Sequence, residues 1–383
     1  MRPDPSPTGG RIGSIDALRG LVMLLMLVDH LREFFYLHAQ VRDPMDLALT
    51  PPDLVLTRLT SHLCAPVFIL LTGLSASLYG ARHGEQSSTS AFLLKRGLLL
   101  ILLEITLVNL AWTRSLLPPI LYLQVIWAIG ISMVALAGLI RLPRPALIAV
   151  ALGLMLGHNL LDPLVLAPDQ AGFGLWSILH QRGLIPLPWG AARTSYPVLP
   201  WIGVIAAGYA LGPLFGPRIA PDRRRAVLVG LSAACLGLFA VLRGLNGYGE
   251  PVPWQAGATP FATLLAVLNL TKYPPSADFL LLTLGIGLAL LALFEALPGR
   301  GLGALRIFGG APLFFYLVHL WLLRLAYDAA LALGITGASG QVEVASPGQL
   351  WLLAAGFSLP LYAACRWMVR LKRSGASPWL SYL

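Results

Sequence analysis

The chain has 383 residues, of which 57% are hydrophobic and only 11% charged, and it carries a formal net charge of +10. A mean hydropathy of +0.74 excludes an ordinary soluble protein and marks a polytopic membrane protein. The positive charge does not point to nucleic acid, because the basic residues are scattered over separate short segments instead of forming one stripe.

Residues 1–13, rich in Pro and Gly, read as a flexible cytoplasmic tail with no small-residue cleavage site behind the first apolar run, so no signal peptide is expected to be removed. Residues 14–373 read as one all-α transmembrane domain, a polytopic helical bundle, followed by a cytoplasmic tail over 374–383. About ten apolar segments reach membrane length: 15–36, 60–80, 92–112, 119–140, 145–161, 197–216, 225–244, 276–296, 307–329 and 349–370. With the N-terminus inside, eighteen of the twenty-seven Lys and Arg residues fall on the inner side, so both termini are predicted to be cytoplasmic. The expected location is the bacterial inner membrane, with the lipid bilayer as the constant partner; oligomeric state is not encoded visibly, a homodimer being one option.

The first span carries ionisable groups near both ends. Asp16 and Arg19 lie one turn apart and share a face, while Asp29 and His30 stand about 21 Å further along at about 1.5 Å per residue. Ionisable groups at membrane depth suggest a cavity or a functional site; snorkelling at helix ends is the other reading, open for Arg19 and Arg32 and weaker for Asp29 and His30. Adjacent helical residues point about 100° apart, so Asp29 is not the simple hydrogen-bond partner of His30. His62 opens the second span, opposite the outer end of the first. Glu104, Asn109 and Gln124 inside the third and fourth spans read as interhelical hydrogen-bonding groups, with pore lining as the other reading.

Two outer connections, 162–196 and 245–275, are long enough to cover a site, and Phe261 to Leu270 within the second is expected to form a short interfacial or re-entrant helix. Six of the seven histidines, His30, His38, His62, His158, His180 and His319, fall on the outer half, with only His83 inside. Neutral imidazoles facing a cavity suit acid and base chemistry. His158 and His180 are read as structural. Cys64, Cys235 and Cys365 lie in apolar helices without metal or disulfide spacing, and no metal is expected.

The stretch Arg11-Ile-Gly-Ser-Ile-Asp16-Ala-Leu-Arg19-Gly20, with the later His62-Leu-Cys-Ala-Pro66-Val-Phe and Thr72-Gly73-Leu-Ser75, resembles the core of the heparan-alpha-glucosaminide N-acetyltransferase family, most nearly its bacterial relatives. For those relatives the likeness extends through Leu123-Gln124-Val-Ile-Trp127, Tyr196-Pro-Val-Leu-Pro200-Trp201, Leu270-Thr-Lys272-Tyr273-Pro-Pro275, Tyr316-Leu-Val-His319 and the C-terminal Pro378-Trp-Leu-Ser-Tyr-Leu. The resemblance implies a membrane acyltransferase that takes an acetyl or other acyl group from cytoplasmic acyl-CoA and passes it to an extracytoplasmic small molecule or glycan. In the sugar enzymes of the family an asparagine at the outer end of the first core helix and a histidine in the segment after it are essential. Counted without gaps from Asp16, these positions fall here on His30 and Val41, and one gap brings His38 to the second. The expected catalytic set is therefore His30, Asp29, His38 and His62, with His30 as base. Asp16, Arg19, Lys95 and Arg96 are expected to hold the CoA co-substrate, and Lys272, Tyr273 and His319 the acceptor. The alternative is a proton-coupled transporter using Asp29, His30, Glu104 and His319.

Overall fold

The computed structural model describes residues 12–84, 86–297, 299, 301–337 and 339–374. The predicted tails, apart from residues 12, 13 and 374, and the motif beginning at Pro378 lie outside the described residues. The chain order is α1 (Gly13–Phe35), α2 (Pro52–Ser61), α3 (Cys64–His83), α4 (Gln86–Leu103), a π turn (Glu104–Val108) and α5 (Asn109–Thr113). There follow β1 (Ile120–Leu123), α6 (Val125–Leu139), α7 (Arg144–Leu156), α8 (Phe173–Leu179), β2 (Leu184–Leu187), β3 (Gly190–Thr194), α9 (Leu199–Leu211) and α10 (Pro221–Leu245). The remainder is α11 (Pro260–Leu268), α12 (Ala277–Ala296), α13 (Gly303–Gly309), α14 (Pro312–Ala332) and α15 (Pro347–Arg373).

Each of the ten expected segments is occupied mainly by helix. Among the described residues five helices are long and apolar enough to cross a membrane: Pro52–His83 (α2 running into α3), α10, α12, α14 and α15. α6, α7 and the helix Leu199–Phe215 are shorter apolar helices. α1 has the length, but Asp16, Arg19, Asp29, Arg32 and Glu33 spread charge along it, so it is not among the five. The second helical segment starts earlier than the hydropathy suggested. Pro52 in the first turn, where a missing N–H costs nothing, nucleates α2, and Leu54 and Val55 bury its face.

The all-α expectation needs one correction. β1, β3 and β2 form a small three-stranded sheet in which β1 and β3 run parallel and β3 and β2 antiparallel. Ile120–Leu123, expected to lie in the start of a span, is strand because Pro118 and Pro119 oppose helix before it and β3 supplies backbone partners beside it. A four-residue apolar run carries too little periodicity to reveal this. The 260s segment forms the short helix α11, as expected.

α1 is central and packs against α13, α14, α15, α3, α12 and α2. Its first half, through Ile15, Leu18 and Val22, joins a core with α3, α6, α9 and α12. Its second half, through Met23, Leu27, Leu31 and Phe34, joins another with α14 and α15. Close crossings rest on glycine: a Cβ on Gly20 would strike the Leu305 carbonyl, and one on Gly309 the Asp16 carbonyl. Gly73 and Gly208 bring α3 and α9 together in the same way. α10 and α15 turn exposed apolar faces outward, including Val229, Val241, Leu352 and Leu359, as lipid contact requires.

Candidate functional site

Residues Ile15, Asp16, Arg19, Val22, Met26, Asp29 and His30 recur at three- and four-residue spacing, so one stripe of α1 forms a wall. The wall lines a cavity of about 410 Å³ that begins among Asp16, Arg19, Arg82, His83, Arg96 and Lys372 and ends at Asp29, His30 and Lys272. At its basic mouth Arg19 donates to Asp16 Oδ1 at 2.9 Å, to the Gly309 carbonyl at 3.2 Å and to Ser75 Oγ at 2.7 Å. The guanidinium is thus fixed by α1, α13 and α3. Between the two ends the lining is largely apolar, with Val22, Met26, Phe68 and Leu100.

His30 ends this first cavity and also lines a second one of about 610 Å³. Asp29, His30 and Tyr196 are the residues common to both. The His30 ring packs edge-on against Trp112 and Tyr316, and its Nδ1 lies 2.7 Å from His319 Nε2. His319 Nδ1 lies 2.9 Å from the Phe315 carbonyl. A carbonyl only accepts, so His319 Nδ1 carries the proton and its Nε2 accepts from His30 Nδ1–H. In the neutral pair the remaining lone pair belongs to His30 Nε2, which is the condition for a base.

Asp29, the preceding residue, faces a different set of partners. Arg58 Nη1 contacts both of its oxygens at 2.8 and 3.1 Å, Arg32 Nε reaches Oδ1 at 3.3 Å, and Lys272 Nζ stands 3.9 Å from Oδ2. One carboxylate therefore gathers three cations from α1, α2 and the segment before α12. The Lys272 backbone N–H donates to Asp43 at 3.1 to 3.2 Å, and Lys272 Nζ lies 5.1 Å from the centre of the Tyr273 ring. Burial pushes the Asp43 carboxyl above its usual range, against the pull of Arg58 and Lys272. Tyr273 Oη donates to Tyr196 Oη at 3.2 Å.

The second cavity is rich in arginine. Arg32 and Arg58 in its wall are tied to Asp29, and Arg114 and Arg324 share Asp328. Arg42, Arg182 and Arg193 line it without a close ion pair among the described residues, Arg182 acting on the Asp43 carboxylate at longer range. Arg182 lies 5.2 Å from the centre of the Tyr273 ring, and Arg193 5.9 Å from that of Tyr122. The small sheet sets Arg193 there, since β3 pairs Arg193 with Tyr122 of β1.

The structure brings together Asp16, Arg19 and Arg96 at one mouth, and Asp29, His30, His319, Lys272 and Tyr273 around the junction. Three predicted residues stand apart. Lys95 is exposed on α4 and lines neither cavity, because it lies about 100° around the helix from Arg96. His38 is exposed against the Tyr36 ring, and His62 is buried against Phe279; neither lines a cavity. Glu104 accepts from the Trp127 N–H at the start of α6, and Asn109 bridges the Glu104 carbonyl and Tyr122, so both are hydrogen-bonding residues of the π-turn region. Gln124 lines the second cavity. Arg58 and Tyr196 were missed. An arginine inside the apolar Leu54-Val55-Leu56-Thr57-Arg58-Leu59 run was the available signal for the first.

Comparison with known proteins bears on this arrangement. The family model described as heparan-alpha-glucosaminide N-acetyltransferase, catalytic, matches residues 11–237, more than half of the chain. The matched stretch takes in Asp16, Arg19, Asp29, His30 and Arg58 and stops before Lys272 and His319. No curated protein matches the chain.

Proposed function

Because the chain belongs to the heparan-alpha-glucosaminide N-acetyltransferase family, we propose that this membrane acetyltransferase moves an acetyl or other acyl group from acyl-CoA in the first cavity to an acceptor in the second. The observation that carries the reading is the meeting of two cavities of different chemistry at Asp29, His30 and Tyr196. A donor and an acceptor approaching from opposite ends need two such sites and one shared reacting point. Proton-coupled transport is not favoured by the family.

The basic mouth suits the phosphates of CoA, for which Arg19, Arg82, Arg96 and Lys372 supply cationic hydrogen-bond donors. From Arg19 to His30 the wall runs about 16 Å at about 1.5 Å per residue, an apolar path for an extended pantetheine arm. His30 Nε2 takes the proton of the acceptor hydroxyl or amine as its oxygen or nitrogen attacks the thioester carbon. The C–S bond breaks, and the CoA sulfur takes the proton from His30 Nε2 as it leaves along the first cavity, which returns His30 to its neutral form. Lys272 and Tyr196 line the first cavity with His30 and are the groups suited to stabilise charge on the thioester oxygen. The arginines of the second cavity favour an acceptor that carries anionic groups, such as an acidic envelope carbohydrate.

In this reading the ten helical segments all cross the bilayer of a bacterial inner membrane, and the basic mouth and both termini are cytoplasmic. The test is the detergent-purified protein with acetyl-CoA. Acetyl-CoA should raise the thermal midpoint and lose its acetyl group slowly to water or to an added acceptor; failure of both would overturn the proposal.

A further inference from the structure

Outside the two cavities, one cluster has donor chemistry that none of the foregoing uses. His158 follows α7 in a short 3-10 turn, Asp162 comes one turn later, and His180 closes α8. One ligand atom from each of the three lies within 4.8 Å of the others. His180 Nε2 stands 3.1 Å from Asp162 Oδ1. Tetrahedral bonds of about 2.0–2.1 Å around zinc separate neighbouring ligand atoms by about 3.3 Å, so this pair already has the spacing of two ligands.

The independent observation concerns the imidazoles. His158 is 2% exposed and His180 3%, yet Nδ1 of His180 has no hydrogen-bond partner among the described residues, and the polar group that the His158 ring approaches there is the Pro275 carbonyl, which leaves at least one of its nitrogens unpartnered. Buried polar atoms are nearly always satisfied, and those that are not require an explanation such as an ion. A satisfied second layer is present: Asn159 Nδ2 donates to Asp162 Oδ2 at 2.8 Å, orienting the carboxylate, while Asn159 Oδ1 accepts from the Ala277 N–H at 2.9 Å.

We propose that His158, Asp162 and His180 form a binding site for a first-row divalent cation of the zinc class, with a fourth position open to water. Two imidazoles and one carboxylate suit zinc, whereas calcium and magnesium take oxygen ligands. The ion would clamp the end of α7 to the end of α8 and, through Asn159, to the first residue of α12. Its place is structural: Arg182 lies two residues beyond His180, and the Ile178 carbonyl accepts from the Val198 N–H at 2.8 Å, so the clamp steadies the segment that presents Arg182 and Arg193. The site departs from the expectation that no metal is used and that these two histidines serve only packing.

The experiment uses full-length protein in detergent, stripped with EDTA and then titrated with Zn²⁺, and separately with Co²⁺. Elemental analysis after desalting should find one zinc per chain, with a thermal midpoint raised by several degrees. Co²⁺ should produce the visible absorption of a four-coordinate nitrogen and oxygen site. His158→Ala and His180→Ala should lose both the bound zinc and the zinc-dependent rise, while His38→Ala, at an exposed histidine elsewhere, should keep them. If the alanine variants fail to fold, Asp162→Asn and the Co²⁺ spectrum of the unaltered protein decide the matter. Absence of stoichiometric binding, or equal zinc retention in a folded His158 or Asp162 variant, would overturn the site.

Discussion

His30 and His319, on α1 and α14, are joined ring to ring at 2.7 Å, and the Phe315 carbonyl at the far side of His319 fixes which nitrogens carry protons. In the proposed mechanism the consequence is a base whose tautomer is set by a residue 289 positions away in sequence. General acid–base catalysis contributes typically about 10²–10⁴-fold. His30→Ala should therefore lower acyl transfer by about that factor while leaving acetyl-CoA binding nearly intact. His319→Ala should cost less, and the double variant should be no worse than His30→Ala alone, because the second residue acts through the first. Additive losses in the double variant would break the proposed chain of command.

Arg19→Ala and Arg96→Ala should both weaken acetyl-CoA binding, by roughly 10- to 100-fold if each removes a charge-assisted hydrogen bond worth about 1.5–3 kcal/mol. Lys95→Ala, one residue from Arg96 but outside the cavity, should leave the dissociation constant unchanged. Isothermal titration with acetyl-CoA reads all three. An effect of Lys95→Ala equal to that of its neighbour would argue for bulk surface charge over a built site.

Removing one partner of a buried ion pair typically costs about 3–5 kcal/mol, because the other charge stays behind. Arg58, 6% exposed, is the closest cation to Asp29. Asp29→Asn strands three cations and should lower the thermal midpoint strongly, whereas Arg58→Ala leaves Asp29 with Arg32 and Lys272 and should cost less. A loss in Arg58→Ala equal to or larger than that in Asp29→Asn would show that the carboxylate does not hold the three cations together.

Arg182→Ala and Arg193→Ala should raise the KM for an anionic acceptor without altering the affinity for acetyl-CoA, since both line only the second cavity. A parallel loss of acetyl-CoA binding would contradict the separation of the two sites.

Helix crossings give a sharper contrast. Gly20→Ala and Gly309→Ala each drive a methyl group into a facing backbone carbonyl, and overpacking of this kind costs about 1–3 kcal/mol or more where backbone must move. Gly230→Ala and Gly237→Ala on α10 meet nothing within 4 Å and should be neutral or slightly stabilising in a helix. Thermal midpoints of the four variants test whether α1 and α13 truly depend on glycine contact.

Much of this protein was legible from its sequence. Apolar runs of membrane length announce helices because an isolated backbone in lipid must satisfy its own hydrogen bonds, and every expected segment contains one. Asp16, Arg19, Asp29 and His30 stood out because charge at membrane depth is costly and its spacing on a single helix is readable. Residues that depend on distant partners were not legible in this way. The pairing of His30 with His319, the capture of Asp29 by Arg58 and Lys272, and the sheet that carries Arg193 join segments far apart in sequence. Periodicity reports only which face of one element is apolar; it does not say which other element that face meets. Lys95 and Arg96 show the limit most simply, since composition treats them alike and only the packing of α4 turns one toward the cavity and the other away.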